Sequence, residues 1–83
     1  MVSQDLVNKA TGFTLSEIRK WAKLSQEELS QRLGISIDEL EDHEKGNISA
    51  EISFILNHAE ACNTIPEDTF NQIIGEVRKR SER

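Results

Sequence analysis

The stretch Ser25–Gly46, SQEELSQRLGISIDELEDHEKG, decides how this chain is read. It holds two short amphipathic segments on either side of Leu33-Gly34-Ile35, and each opens on a serine with a glutamate three residues later: Ser25 with Glu28, then Ser36 with Glu39. In such a capping box the serine oxygen accepts from an N–H of the first turn. The glutamate reaches back to the serine N–H, so two orphan donors are satisfied together. Gly34 stands just past the first segment, where a helix commonly ends in the left-handed conformation that glycine adopts without steric cost. The stretch therefore predicts a helix over about 26–33, a tight turn, and a second helix from Ile37 to His43 or Glu44. A turn this short makes the two helices cross steeply.

The residues that carry this pattern also carry a resemblance. Ser25-Gln26-Glu27-Glu28-Leu29, Leu33-Gly34-Ile35-Ser36 and Glu44-Lys45-Gly46, with Arg19 upstream, resemble the phage-repressor, Cro-like (XRE) helix-turn-helix domains. The resemblance runs without a gap from Arg19 through Gly46 and covers roughly residues 14–65. It implies a compact, all-α, five-helix lambda-repressor-like domain, with or without an extra N-terminal helix. It also implies an ion pair between Arg19 and Glu44.

Outward from the motif, Thr14 with Glu17 reads as a further capping box opening a helix with Leu15, Ile18 and Ala22 inward. Trp21, at the edge of that stripe, reads as a lid on the N-terminal segment in preference to a ring that stacks on a base. Residues 3–11 read either as a short helix with Leu6, Val7 and Ala10 inward and Gly12 as its stop, or as a mobile arm. Leu29 and Leu33 are the expected core of the first motif helix and Leu40 of the second, with Ser30 in a close-approach slot. Beyond the motif, Ile52, Ile55, Leu56, Ala59 and Cys62 recur at helical spacing and read as a buried stripe. Thr64 followed by Pro66 and Glu67 opens a last helix with Phe70, Ile73, Ile74 and Val77 in register. Gly75 inside it costs about 1 kcal/mol relative to alanine. The expected organisation is one domain over 1–83: an arm or short helix over 1–12, the motif core over 13–65, and a C-terminal helix over 66–83.

Composition narrows the function. With 30% charged and 36% hydrophobic residues the 83-residue chain is neither disordered nor membrane-like, and a cytoplasmic location is expected. Cys62 is the only cysteine, which excludes an internal disulfide; a buried apolar role is its expected use. His58 and Cys62 stand four residues apart, but two ligands are not a metal site, and no cofactor or metal is expected. His43 reads as a hydrogen-bonded, partly buried side chain. No nucleophile with a base at local spacing and no phosphate-cradling glycine loop is present, so an enzyme is not expected. The net charge of −5 is concentrated in residues 36–51, where Asp38, Glu39, Glu41, Asp42, Glu44 and Glu51 face Lys45 alone.

The resemblance implies duplex DNA as partner, bound by a homodimer at two half-sites. The second motif helix lies in the major groove with Ile37, Asp38, Glu41 and Asp42 toward base edges, while Gln26, Ser36, Lys45 and Asn47 are placed at phosphates. Gln26 reads equally as an ordinary first-turn residue facing solvent. Phe70, Ile73, Ile74 and Val77, or the Phe54 and Ala61 edge of the preceding helix, would supply the dimer contact. The base-facing set departs from the family, which commonly carries donors there; a carboxylate only accepts, chiefly from cytosine N4, and is repelled by phosphates on every sequence. Asp38 and Asp42 are also an unfavourable i,i+4 pair, whereas Glu41 and Lys45 are a favourable one. A second function stands beside the first: an antitoxin-like, anti-repressor or inhibitor module whose acidic helix docks on a basic protein.

Overall fold

The computed structural model describes residues 1–82 and consists there of five helices: α1 (Gln4–Trp21), α2 (Gln26–Leu33), α3 (Ile37–Lys45), α4 (Ile52–Ala61) and α5 (Pro66–Ser81). Among the described residues there is no strand, and no helix is long and apolar enough to cross a membrane. Helix α1 is the axle, packing along α5 on one side and across α3 on the other.

The largest departure from the sequence expectation lies in α1. It runs unbroken through the boundary expected at residue 12, starting from Ser3, whose hydroxyl accepts from the Leu6 N–H at 3.1 Å. Neither a mobile arm nor a separate short helix exists, and Thr14 is a buried mid-helix residue instead of a cap. Gly12 is helical too. A Cβ there would meet the backbone carbonyl of His43 and lie 2.7 Å from that of Glu44, so glycine is required by the approach of α3 and not by a turn. Gly46 mirrors it from the other side of the crossing: its Cβ would lie 2.7 Å from the Lys9 Cα. Two glycines thus set the α1–α3 contact at backbone distance.

The core has two parts. Ile18, Leu29, Leu40 and Cys62 lie under the motif, with Phe54 and Ala61 packed against them; Leu15, Ile55 and Ile73 join α1, α4 and α5, with Phe70 and Val77 alongside. The expected stripe on α4 is rotated. Ile55, Ala59 and Cys62 are buried as expected, but Ile52 and Leu56 are exposed and His58 is wholly buried in their stead. Phe54 explains the turn of the helix: it stacks on His43 with ring centroids 3.8 Å apart, which brings the Phe54–His58 side of α4 inward. Both expected dimer contacts change with this. Phe54 and Ala61 are engaged in the core, and so are Ile73 fully and Phe70 and Val77 in part, which leaves Ile74 alone of the α5 set as an exposed apolar side chain.

At the α4–α5 junction Pro66 occupies the first turn of α5 as expected, but Thr64 does not cap it. Its hydroxyl donates to the Ala59 carbonyl at 3.3 Å, and the N-cap position belongs to Ile65. Trp21 is 84% exposed and covers nothing on the N-terminal segment, so its expected role as a lid is withdrawn.

Candidate nucleic-acid interface

The motif forms where its local signals place it. Ser25 and Glu28 exchange both bonds of the capping box, the Glu28 N–H donating to Ser25 Oγ at 3.0 Å and the Ser25 N–H to Glu28 Oε1 at 2.9 Å, and hydrogen bonding from Ser25, its backbone N–H first, holds the Glu28 carboxyl below its ordinary pKa. Gly34 ends α2 at φ 70° and Gly46 ends α3 at φ 74°. The second box is half made: Ser36 accepts from the Glu39 N–H at 3.0 Å, while Glu39 makes no return bond among the described residues. Ser30 is buried as its slot requires, its hydroxyl donating to the Glu27 carbonyl.

One polar network fixes the orientation of α3. The Arg19 guanidinium meets the Glu44 carboxylate through both ends, Nε to Oε2 at 2.7 Å and Nη2 to Oε1 at 3.1 Å, and its third edge donates to the Leu24 carbonyl at 2.9 Å. This is bidentate geometry in a pair that is almost wholly buried. Gln26, at the head of α2, donates to the same Glu44 carboxylate at 3.0 Å. Its first-turn side chain is therefore not free in solvent. One amide proton is committed to Glu44, and the other stays available beside the N–H groups of the α2 start, a site suited to an anion.

Beneath the network lies a pair of buried imidazoles. Among the described residues Nδ1 of His43 and Nε2 of His58 lack hydrogen-bond partners, and His43 is held by stacking on Phe54 in place of the expected hydrogen bond. Burial lowers the pKa of His43 and drives that of His58 down to about 4, against the smaller opposite pull of Glu44. Cys62 packs 3.8 Å from His58 Nδ1, and burial raises its thiol pKa. Both imidazoles are neutral spacers at neutral pH. No group of three or more metal-binding side chains occurs among the described residues.

The outward face of α3 carries the residues singled out from the sequence. Ile37 is 42% exposed, Asp38 and Asp42 are exposed beside it, and half-buried Glu41 lies with its carboxylate 3.8 Å from the Lys45 ammonium. Asn47 sits just past α3, its backbone N–H on the Asp42 carbonyl at 2.9 Å and its amide 3.4 Å from the Asp42 carboxylate. The four base-facing candidates and Lys45 thus share one short helix, with Asn47 beside them. Gln26 reaches that helix through Glu44. Lys9 was not among the expected site residues; its ammonium donates to the Lys45 carbonyl at 3.2 Å and so adds a second cation at the C-terminal end of α3. Ser49 joins it there through a 3.1 Å bond to Asn8. These contacts span 36 and 41 residues, beyond the reach of any local motif.

The arrangement matches known proteins. A family model described as a helix-turn-helix domain matches residues 10–72. This chain belongs to that helix-turn-helix family. Among solved structures, the restriction-modification controller protein C.AhdI from Aeromonas hydrophila is 31% identical, with 82% of this chain and all of that chain covered at a TM-score of 0.70. Two more distant structures share the fold. The clp gene regulator ClgR from C. glutamicum is 19% identical, with 83% of this chain and 90% of that one covered, at a TM-score of 0.79. A point mutant of the restriction-modification controller protein C.Esp1396I is 15% identical, with 88% and 97% covered, also at 0.79. No curated protein sequence matches this helix-turn-helix chain.

Proposed function

We propose that the protein is a DNA-binding transcriptional regulator, acting in the cytoplasm, which binds its operator as a homodimer with α3 in the major groove. The observation that carries this reading is the Arg19–Glu44–Gln26 network. It locks the second motif helix to the first at a fixed angle and leaves Ile37, Asp38, Glu41 and Asp42 free to meet base edges. Gln26, Ser36, Lys45 and Asn47 then stand at phosphates, joined by Lys9. The names of its structural relatives, a controller protein and a gene regulator, support the same reading. The dimer contact moves from the set expected from sequence to the apolar residues that the fold leaves outside: Ile52 and Leu56 of α4 and Ile74 of α5.

The acidic face of α3 favours a second reading, a basic protein as the partner. One experiment separates the two. The protein is incubated with a randomised duplex pool at about 50 mM salt, where phosphate contacts are strongest, and the retained DNA is sequenced. Enrichment of a palindrome with half-sites about one helical turn apart is the expected result. No enrichment by folded protein overturns the operator reading and gives the acidic face to a protein.

A further inference from the structure

Trp21 stands where neither the core nor the α3 face uses it. Met1 aside, it is the most exposed large apolar side chain, at 84%, and Ile65, third after Ile52, is exposed at 61%. The two line one groove of about 570 Å³, within the size range of small-ligand sites. Helices α1 and α5 build it together. Glu17 and Trp21 lie one turn apart on α1, and Asp68 and Gln72 one turn apart on α5, with Ile18 buried beneath and Ile65 at the N-cap of α5. Trp21 follows Arg19 by two positions, about 200° round the helix, so the groove opens on the opposite side of α1 from the Arg19–Glu44 latch. Ile74 likewise follows Gln72 by two positions, which separates the groove from the apolar residues proposed for the dimer.

The charge of the groove is of one sign. Glu17 and Asp68 are its ionisable lining residues, and both are exposed. Glu17 meets Lys20 at 3.7 Å, an open surface pair of the kind worth little, and Asp68 has no ionic partner among the described residues. No cation covers the Trp21 ring either; among the described residues the cation–π contact is Arg80 over Phe13. An indole face flanked by two carboxylates attracts a cation through the ring quadrupole and through charge. It repels anions, and a neutral apolar ligand would strip water from the carboxylates with nothing in return. A bare ammonium holds its own water, whereas an alkylated one spreads its charge over methyl groups that also pack on Trp21 and Ile65. Eight residues line the groove, against roughly 20–30 a side in a stable protein interface, which points to a small molecule in preference to a protein.

We propose that this groove binds a small organic cation, an alkylated ammonium with an apolar body, its head held by Glu17 and Asp68 against the Trp21 ring. Asn63 and Gln72, which also line the groove, offer amides to polar groups on the body. Ligand and DNA would lie on opposite sides of α1, so the site stands apart from the operator reading and is tested without DNA.

Trp21 is the only tryptophan and tyrosine is absent, so the fluorescence of the whole chain reports this groove. It is titrated with benzyltrimethylammonium, and with choline against 3,3-dimethylbutan-1-ol, which has choline's shape without its charge, at matched ionic strengths of about 50 and 300 mM. A saturable change with Kd at or below about 1 mM is expected for benzyltrimethylammonium, weaker at the higher salt. Choline is expected to bind about tenfold more tightly than the neutral alcohol. Asp68→Asn and Glu17→Gln keep the shape of the groove and should each weaken benzyltrimethylammonium about fivefold, while Glu39→Gln, which removes an equal charge from α3, leaves it unchanged. Trp21→Leu, followed by calorimetry in protein of unchanged helix content, should abolish binding. An unsaturable response, equal binding of choline and the alcohol, or a loss in Glu39→Gln as large as in Asp68→Asn each overturn the proposal. So does saturable binding by a short oligo-arginine peptide where the small cations fail, which would give the groove to a basic protein. Operator selection is read on a different face, so failure here leaves the DNA-binding reading standing.

Discussion

The inner face of α3 is held at every residue, whereas its outer face has almost nothing fixing its side chains. Inside, Leu40 is fully buried, His43 stacks on Phe54, and the Glu44 carboxylate takes three donors from Arg19 and Gln26. Outside, Asp38 and Asp42 stand one turn apart with no cation on either among the described residues, and the Glu41–Lys45 pair at 3.8 Å is of the exposed kind that contributes little. One helix of 9 residues thus separates where stability is stored from the face proposed for recognition. Substitutions on the inner face should change unfolding, and substitutions on the outer face should change binding alone.

The largest expected effect is at Glu44. Glu44→Ala leaves the buried Arg19 guanidinium with only the Leu24 carbonyl, a loss of about 3–5 kcal/mol in denaturant unfolding. Against the roughly 5–15 kcal/mol typical of a domain, that is about a third or more of the stability. Replacing both partners with apolar residues, Arg19→Met with Glu44→Leu, should restore most of the stability. It should not restore DNA binding, because the bidentate latch that sets the angle of α3 is gone. A double variant as unstable as Glu44→Ala would mean that the pair acts through something besides its own charges.

His58 gives the next effect, as a pH dependence. The folded protein keeps this imidazole neutral down to about pH 4, whereas the unfolded chain protonates it near pH 6.5. Between those values the unfolded state binds the extra proton. Stability is complete above about pH 6.5 and declines with acid by about 3 kcal/mol by pH 4. His58→Leu should flatten that part of the profile; an unchanged slope would assign the acid lability to other groups. Gly12→Ala follows at about 2 kcal/mol, the clash with the α3 carbonyls outweighing the gain in helix propensity.

These inner positions also mark how far the sequence could be read. The ends of α2 and the start of α3 were legible because capping serines and left-handed glycines act within four residues of where they stand. Gly12 misled for the same reason. A glycine that stops a helix and one that admits a neighbouring backbone look alike until the neighbour is known, and here it comes from His43 and Glu44, more than 30 residues on. On α4 the apolar spacing was correct but wider than the face that is buried. The stacking of Phe54 on His43 chose the side, so that a histidine went inside while Ile52 and Leu56 stayed out. Of the candidate site, the helix and its outward residues were legible from the motif, and the Arg19–Glu44 pair from the family resemblance. The engagement of Gln26 with Glu44 and the arrival of Lys9 at the end of α3 were not, since both depend on how distant elements pack.

The smallest expected effect on folding tests the outer face directly. Asp42→Asn removes a like-charge neighbour of Asp38 and keeps an acceptor for the long bond from Asn47, so unfolding should shift by less than about 0.5 kcal/mol. Binding should change in two separable ways. Removing one negative charge beside the phosphates strengthens association with operator and scrambled duplex alike, a gain that shrinks as salt is raised. The amide also brings a donor, so a preference that depended on accepting from cytosine N4 should weaken while adenine becomes acceptable at the same position. Titration of both duplexes at two salt concentrations separates the terms: the shared gain reports charge, and the change in their ratio reports base contact. A shared gain with an unchanged ratio would make Asp42 a bystander in the groove and leave readout to Ile37, Asp38 and Glu41. A shift in unfolding above about 1 kcal/mol would instead show the outer face bearing on the fold, and the division within α3 would fail at its clearest position.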